Sequence, residues 1–200
     1  YTVDQVISDV QEVISYCIKE YNDKIVLFGC SIGSPLAMAA AENDDRVKAL
    51  LCHTLFLTEY PLDMMTMLGW NSLNFSKMFF PDFKINIKSF IDIDELVKDN
   101  VFAHFVEHDD LMVWEYPVKT LSSVYSRKTQ LTYKNMDFKS AIIIGDRDEL
   151  IPISYEKKIM DAMKQDFDFM VIPGGKHMLP FDHVKDTVFA VRDWLKGIFN

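Results

Sequence analysis

Lys24-Ile25-Val26-Leu27-Phe28-Gly29-Cys30-Ser31-Ile32-Gly33-Ser34-Pro35 decides how this chain is read. Its first five residues form a short apolar run, the mark of a strand buried on both faces. From about Ile32 to Ala41 the chain is rich in alanine and reads as a helix. Pro35 is tolerable there because it falls in the first turn, where a missing N–H costs little. A strand that turns sharply into a helix strains the backbone at the turn residue, and Gly29 and Gly33 let neighbouring segments pass without Cβ clashes. The Ser31 hydroxyl is then lifted clear of the sheet edge. The N–H of Ile32, at the helix N-terminus, is aimed at a developing oxyanion. Chance produces this Gly/Ser pattern in roughly one chain of this length in fifteen, so the flanking strand and helix carry the weight.

Outward from this turn, strands and helices alternate. Val3, Val6, Ile7, Val10, Val13, Ile14, Cys17 and Ile18 recur at helical spacing, which predicts a helix packed on a sheet by one face, with Thr2 and Gln5 as a capping box. Val47 to Cys52, Ala141 to Ile144 and Phe169 to Ile172 read as three more buried strands. Helices are expected from about Ser154 to Met163 and from about Phe181 to Phe199. This alternation implies an α/β fold, a parallel sheet flanked by helices. Between about Leu55 and Lys139 it breaks, and methionines and aromatics crowd the segment. That length is too great for a connection in a compact sheet domain. The expected division is therefore a core of residues 1–54 and 140–200 with a helical cap insertion at 55–139.

A serine nucleophile needs a base, and the base needs an acid that fixes its tautomer. His177 follows the fourth predicted strand through Gly174-Gly175, a turn able to bring an imidazole to the sheet's C-terminal edge. The plainer alternative is an ordinary loop histidine. Asp148 lies just past the third strand, and Asp146 and Glu149 compete with it for the role of acid. Strand ends of a parallel sheet converge on one edge, so Ser31, Asp148 and His177 can reach one point.

The segments Lys24 to Ala41, Ala141 to Pro152 and Val171 to His177, with the strand Val47 to Thr54 and the final helix, resemble the α/β-hydrolase superfamily. The similarity is greatest to its monoacylglycerol-lipase-like and carboxylesterase-like branch. The resemblance implies Ser31 as nucleophile, Asp148 as acid and His177 as base, in the family's chain order. It implies a cap where the Met/Phe-rich segment lies. Ser34-Pro35 departs from the glycine that many relatives carry after the motif's last glycine, but Ser34 is still small. The family also has several strands before the first helix seen here, and one loop among them donates a second oxyanion N–H. The resemblance thus implies an N-terminal portion missing from this chain. A sheet edge opened in that way favours pairing of two copies, so a homodimer is among the expectations.

The expected activity is hydrolysis of a carboxylic ester of a small or apolar molecule through an acyl-Ser31 intermediate, with the Ile32 N–H as oxyanion donor. No metal or organic cofactor is required. Thioesterase, acyltransferase or peptidase activity would use the same triad, and a non-catalytic binding protein on the same fold is a further alternative. Met64, Met65, Met67, Trp70, Phe75, Met78, Phe79, Phe80, Phe83 and Phe90 suggest an adaptable apolar surface for an acyl chain, or else simply a core between cap helices. His104 and His108 are spaced for one helix face, with Asp109 and Asp110 beside them. A solvated polar face is the plainer reading than a metal site. His53 is expected near the active edge, lining the pocket or packing there.

The chain has 200 residues, 49% hydrophobic and 26% charged, the profile of a soluble globular domain. No run of about 18 apolar residues predicts a transmembrane segment. The net charge of −9 disfavours nucleic acid as a partner. Cys17, Cys30 and Cys52 have no metal-ligand spacing and read as buried free thiols of a reducing, cytoplasmic protein.

Overall fold

A computed structural model describes residues 1–89, 92 and 109–199. The apolar runs form a four-stranded parallel sheet in the order β1-β2-β5-β6: β1 is Ile25–Cys30, β2 Val47–His53, β5 Lys139–Gly145 and β6 Asp168–Ile172. Cys30 pairs with His53 and Gly145 with Ile172, so the strands end together at one edge. Ser31, Asp148 and His177 follow β1, β5 and β6 at that edge.

The central strands β2 and β5 are buried because alternate residues face opposite layers. The outer strands β1 and β6 leave Phe28 and Val171 exposed, which corrects the expectation that these two strands are buried on both faces. Leu50, Cys52 and Ile142 point to a core shared with α1 (Val3–Glu20) and α2 (Gly33–Ala41). Leu51, Ala141 and Ile143 face the other layer, with Ala190, Val191 and Trp194 of the last helix. Ile142 and Leu50 are fully buried. Truncating either to alanine is expected to cost about 2–5 kcal/mol.

Thr2 caps α1 by accepting the Gln5 N–H at 3.4 Å, but the Gln5 side chain turns to Asp9 instead of back to Thr2, so only half of the capping box forms. α1 packs on β1 and α2, although Val13, counted on its apolar face, is exposed. The outer edge of β1 is unpaired among the described residues, and Phe28 on it is half exposed.

Between β2 and β5 lie α3 (Met64–Ser76), an antiparallel pair of β3 (Lys84–Asn86) with β4 (Glu115–Pro117), and α4 (Val118–Tyr125). The strand pair stands beside the expected helices of this segment. No residue of α3 is buried, and Met64, Met65, Phe75, Met78, Phe79, Phe80 and Phe83 are exposed. The reading of these residues as a packed core between helices is therefore corrected. Trp70 is the half-buried contact, stacked on Tyr125 with centroids 5.3 Å apart. Phe90, His104 and His108 lie outside the described residues.

α5 (Ile153–Ala162) follows β5. After β6 the single expected helix is two, α6 (Leu179–Asp182) and α7 (Val184–Phe199), broken at His183. Of the three free cysteines Cys52 is buried, Cys17 partly buried and Cys30 exposed, which corrects the expectation of three buried thiols. No described helix is long and apolar enough to cross a membrane.

Candidate active site

Ser31 stands between β1 and α2 with φ at 50°, the left-handed region that non-glycine residues rarely occupy. Three bonds hold it there. Its N–H donates to the His53 carbonyl, and its own carbonyl accepts the Ser34 N–H at 2.8 Å. The buried Ser34 hydroxyl donates back to the Gly29 carbonyl at 2.9 Å, so the residue that replaces the usual glycine ties the turn together. Gly29 is required by close approach: a Cβ there would lie 2.5 Å from Ser34 Cα. Gly33 has open space around it, so the sequence expectation that both glycines relieve clashes holds for Gly29 alone. Ile32 caps α2 with helical backbone angles (φ −57°, ψ −18°).

The loops after β5 and β6 cross at Gly145 and Gly175. A Cβ on Gly145 would fall 2.0 Å from the Gly175 carbonyl oxygen, so only glycine permits the crossing. All three acids of the first loop grip the second. Asp146 Oδ1 accepts the Gly174 N–H at 2.6 Å, Glu149 Oε2 accepts the His177 N–H at 3.1 Å, and Asp148 Oδ2 lies 2.9 Å from His177 Nδ1. The other oxygen of Asp148 accepts the N–H groups of Leu150 and Ile151. Those two bonds point the carboxylate inward, where its side chain is wholly buried. His177 Nε2 lies 3.1 Å from Ser31 Oγ. Ser31, His177 and Asp148 thus form one continuous hydrogen-bonded line, with His177 only 5% exposed.

His53 sits at the end of β2, fully buried beside His177. Cys30 is adjacent to the serine, but partly desolvated surroundings, and then the negative charge of Asp148, hold its thiol above the ordinary value. That disfavours the thiolate a cysteine nucleophile needs. Sequence reasoning missed Glu156, in the first turn of α5. It is fully buried, and its Oε1 accepts the Leu55 N–H at 2.8 Å. Burial, opposed by that N–H and reinforced by Asp148, pushes its carboxyl up to about 8. The available signal was an acid sharing the buried stripe of Ile159 and Met160 at helical spacing.

A parallel sheet carrying a strained strand-to-helix serine at its C-terminal edge is the fold of the α/β-hydrolases. The chain belongs to the family described as serine aminopeptidase, S33 (Hydrolase_4), whose model matches residues 1–183. No curated protein matches it in sequence. Among solved structures, the Paleococcus ferrophilus monoacylglycerol lipase superposes with a TM-score of 0.71 at 15% identity, covering 98% of this chain and 75% of the lipase. A soluble variant of Saccharomyces cerevisiae monoglyceride lipase, in complex with a substrate analog, gives 0.74 at 16% identity, covering 98% and 69%. A thermophilic esterase from Thermogutta terrifontis gives 0.64 at 16% identity, covering 100% and 74%.

Proposed function

We propose that this hydrolase cleaves carboxylic ester bonds of a small or apolar substrate through an acyl-serine intermediate. The observation that carries the reading is the line Ser31 Oγ–His177–Asp148, with contacts of 3.1 and 2.9 Å. His177 Nε2 accepts the proton as Ser31 Oγ bonds to the acyl carbon. Asp148 holds the proton on Nδ1 and stabilises the ring as it becomes charged. The Ile32 N–H donates to the oxyanion of the tetrahedral intermediate. Collapse breaks the bond to the leaving alcohol, which takes the proton from Nε2. Water, deprotonated by His177, then attacks the acyl-Ser31 and releases the acid. No step needs a metal or an organic cofactor.

In this reading residues 1–54 and 140–200 are the catalytic core, and residues 55–139 are a cap whose Met and Phe side chains adapt to apolar acyl groups. The family's description as an aminopeptidase supports a second reading, amide cleavage by the same residues. The test compares turnover of an oxygen ester, a thioester and an amide of one acyl group, with fluorophosphonate labelling at Ser31. Preference for the ester supports the proposal, and preference for the amide supports the second reading. Ser31→Ala is expected to abolish labelling and turnover with the fold intact. A Ser31→Ala protein that keeps most of its activity would overturn both readings.

A further inference from the structure

His53 is fully buried at the end of β2, and the proton relay above does not use it. It nevertheless touches both Ser31 and His177. Its carbonyl accepts the N–H of Ser31. Its Nδ1 lies 2.9 Å from the Ile143 carbonyl oxygen in β5, and its Nε2 lies 2.7 Å from the carbonyl oxygen of His177. The two histidine rings are 5.5 Å apart, inclined by 36°. Turning the ring over would set carbon atoms against both carbonyl oxygens, so its orientation follows from its neighbours. A neutral imidazole has one N–H for these two acceptors. The shorter contact is the one to His177.

We propose that His53 is a positioning residue: its Nε2–H donates to the His177 carbonyl and holds the base against the nucleophile turn. The inference rests on the reading of Ser31 and His177 given above. The loop carrying His177 has no regular structure until α6, so its seat is built from individual bonds. Glu149 grips the N–H of His177 and Asp148 its ring, while His53 grips the carbonyl. One residue is thereby tied on its amide, its side chain and its carbonyl, each to a different partner. His53 alone of those partners also fixes Ser31, through its own carbonyl. The nucleophile and the base are referenced to one rigid strand end instead of to two separate loops. Misplacing a reacting group by about 1 Å costs on the order of a hundredfold in rate.

Asparagine sets its amide nitrogen where Nδ1 stands, and glutamine sets its own where Nε2 stands. His53→Gln therefore keeps the donor to His177 and gives up the contact to Ile143, while His53→Asn does the reverse. His53→Gln is expected to keep kcat for an ester within about fivefold of the parent, and His53→Asn to lose about tenfold or more with KM unchanged. Melting temperatures report whether each variant folds. Equal losses in both folded variants, no loss in either, or a loss in His53→Gln alone would overturn the proposal.

A readout independent of turnover is the ring-nitrogen NMR spectrum of the parent. It is expected to show the His53 proton on Nε2, and a proton on Nδ1 alone overturns the proposal even if both variants fail to fold. Failure of the site reading looks different: the parent itself is then not labelled by fluorophosphonate at Ser31, whatever the His53 spectrum shows.

Discussion

The Asp148 carboxylate meets His177 Nδ1 at 2.9 Å with one oxygen and is clamped by two backbone N–H groups through the other. An asparagine can keep the clamp, since its carbonyl oxygen accepts the Leu150 and Ile151 N–H groups equally well. Its amide then faces Nδ1 as a donor. The ring must carry its proton on Nε2 and cannot accept from Ser31. Asp148→Asn is therefore expected to lower kcat by about 10³–10⁴-fold, with a melting temperature close to the parent's. Steady-state kinetics and thermal unfolding check both halves, and a loss below about tenfold would remove Asp148 from the role of acid.

Glu149 competes with Asp148 in the sequence, but its carboxylate accepts a backbone N–H of His177 and does not meet the ring. Glu149→Ala removes one of several ties on that loop. It is expected to reduce kcat by less than about tenfold, without the tautomer change that Asp148→Asn imposes. A defect as large as that of Asp148→Asn would exchange the roles of the two acids.

The contrast between these acids shows where sequence reading stops. Three carboxylates within four residues share one loop, and only the turn at Leu150 and Ile151 decides which of them faces inward. The strand-turn-helix around Ser31 was legible because an apolar run, two glycines and an alanine-rich helix each leave a compositional trace. Strands β3 and β4, three residues each, are too short for a period of two to register. The break between α6 and α7 at His183 falls within an unbroken apolar pattern. The Met/Phe residues of α3 fit a core or a surface equally well by composition, and the structure exposes them. In the sequence Gly145 stands only as the residue that follows the apolar run Ala141 to Ile144. Its partner Gly175, thirty positions away, is what makes it irreplaceable.

Gly145→Ala tests that crossing. The added methyl would meet the Gly175 carbonyl oxygen at 2.0 Å and its carbon at 2.2 Å, and both belong to backbone, so the loops must separate. A loss of about 3 kcal/mol or more in denaturant unfolding is expected, with loss of activity, because Asp148 and His177 sit on the two loops forced apart. Gly33→Ala serves as the comparison, since its methyl meets no atom within 4 Å. It is expected to leave stability unchanged or slightly raised. Equal behaviour of the two variants would contradict the crossing as the source of the constraint.

Glu156 makes the stability of this hydrolase depend on pH in an uncommon direction. Its Oε1 accepts the Leu55 N–H, while its Oε2 finds no hydrogen-bond partner among the described residues. Burial holds the carboxyl up at about 8, against an ordinary value of 4.5. Between those two values the folded chain keeps a proton that the unfolded chain releases. Unfolding then becomes easier as pH rises through the window, and the contribution is level above it. Glu156→Gln keeps an oxygen for the Leu55 N–H and cannot ionise. Urea unfolding at about pH 5, 7 and 9 is expected to show the parent losing stability across the series relative to the variant, with the variant the more stable at the highest pH. Parallel profiles for the two proteins would mean that Glu156 ionises in the folded state as readily as in water, and that its burial is offset by contacts other than the Leu55 N–H.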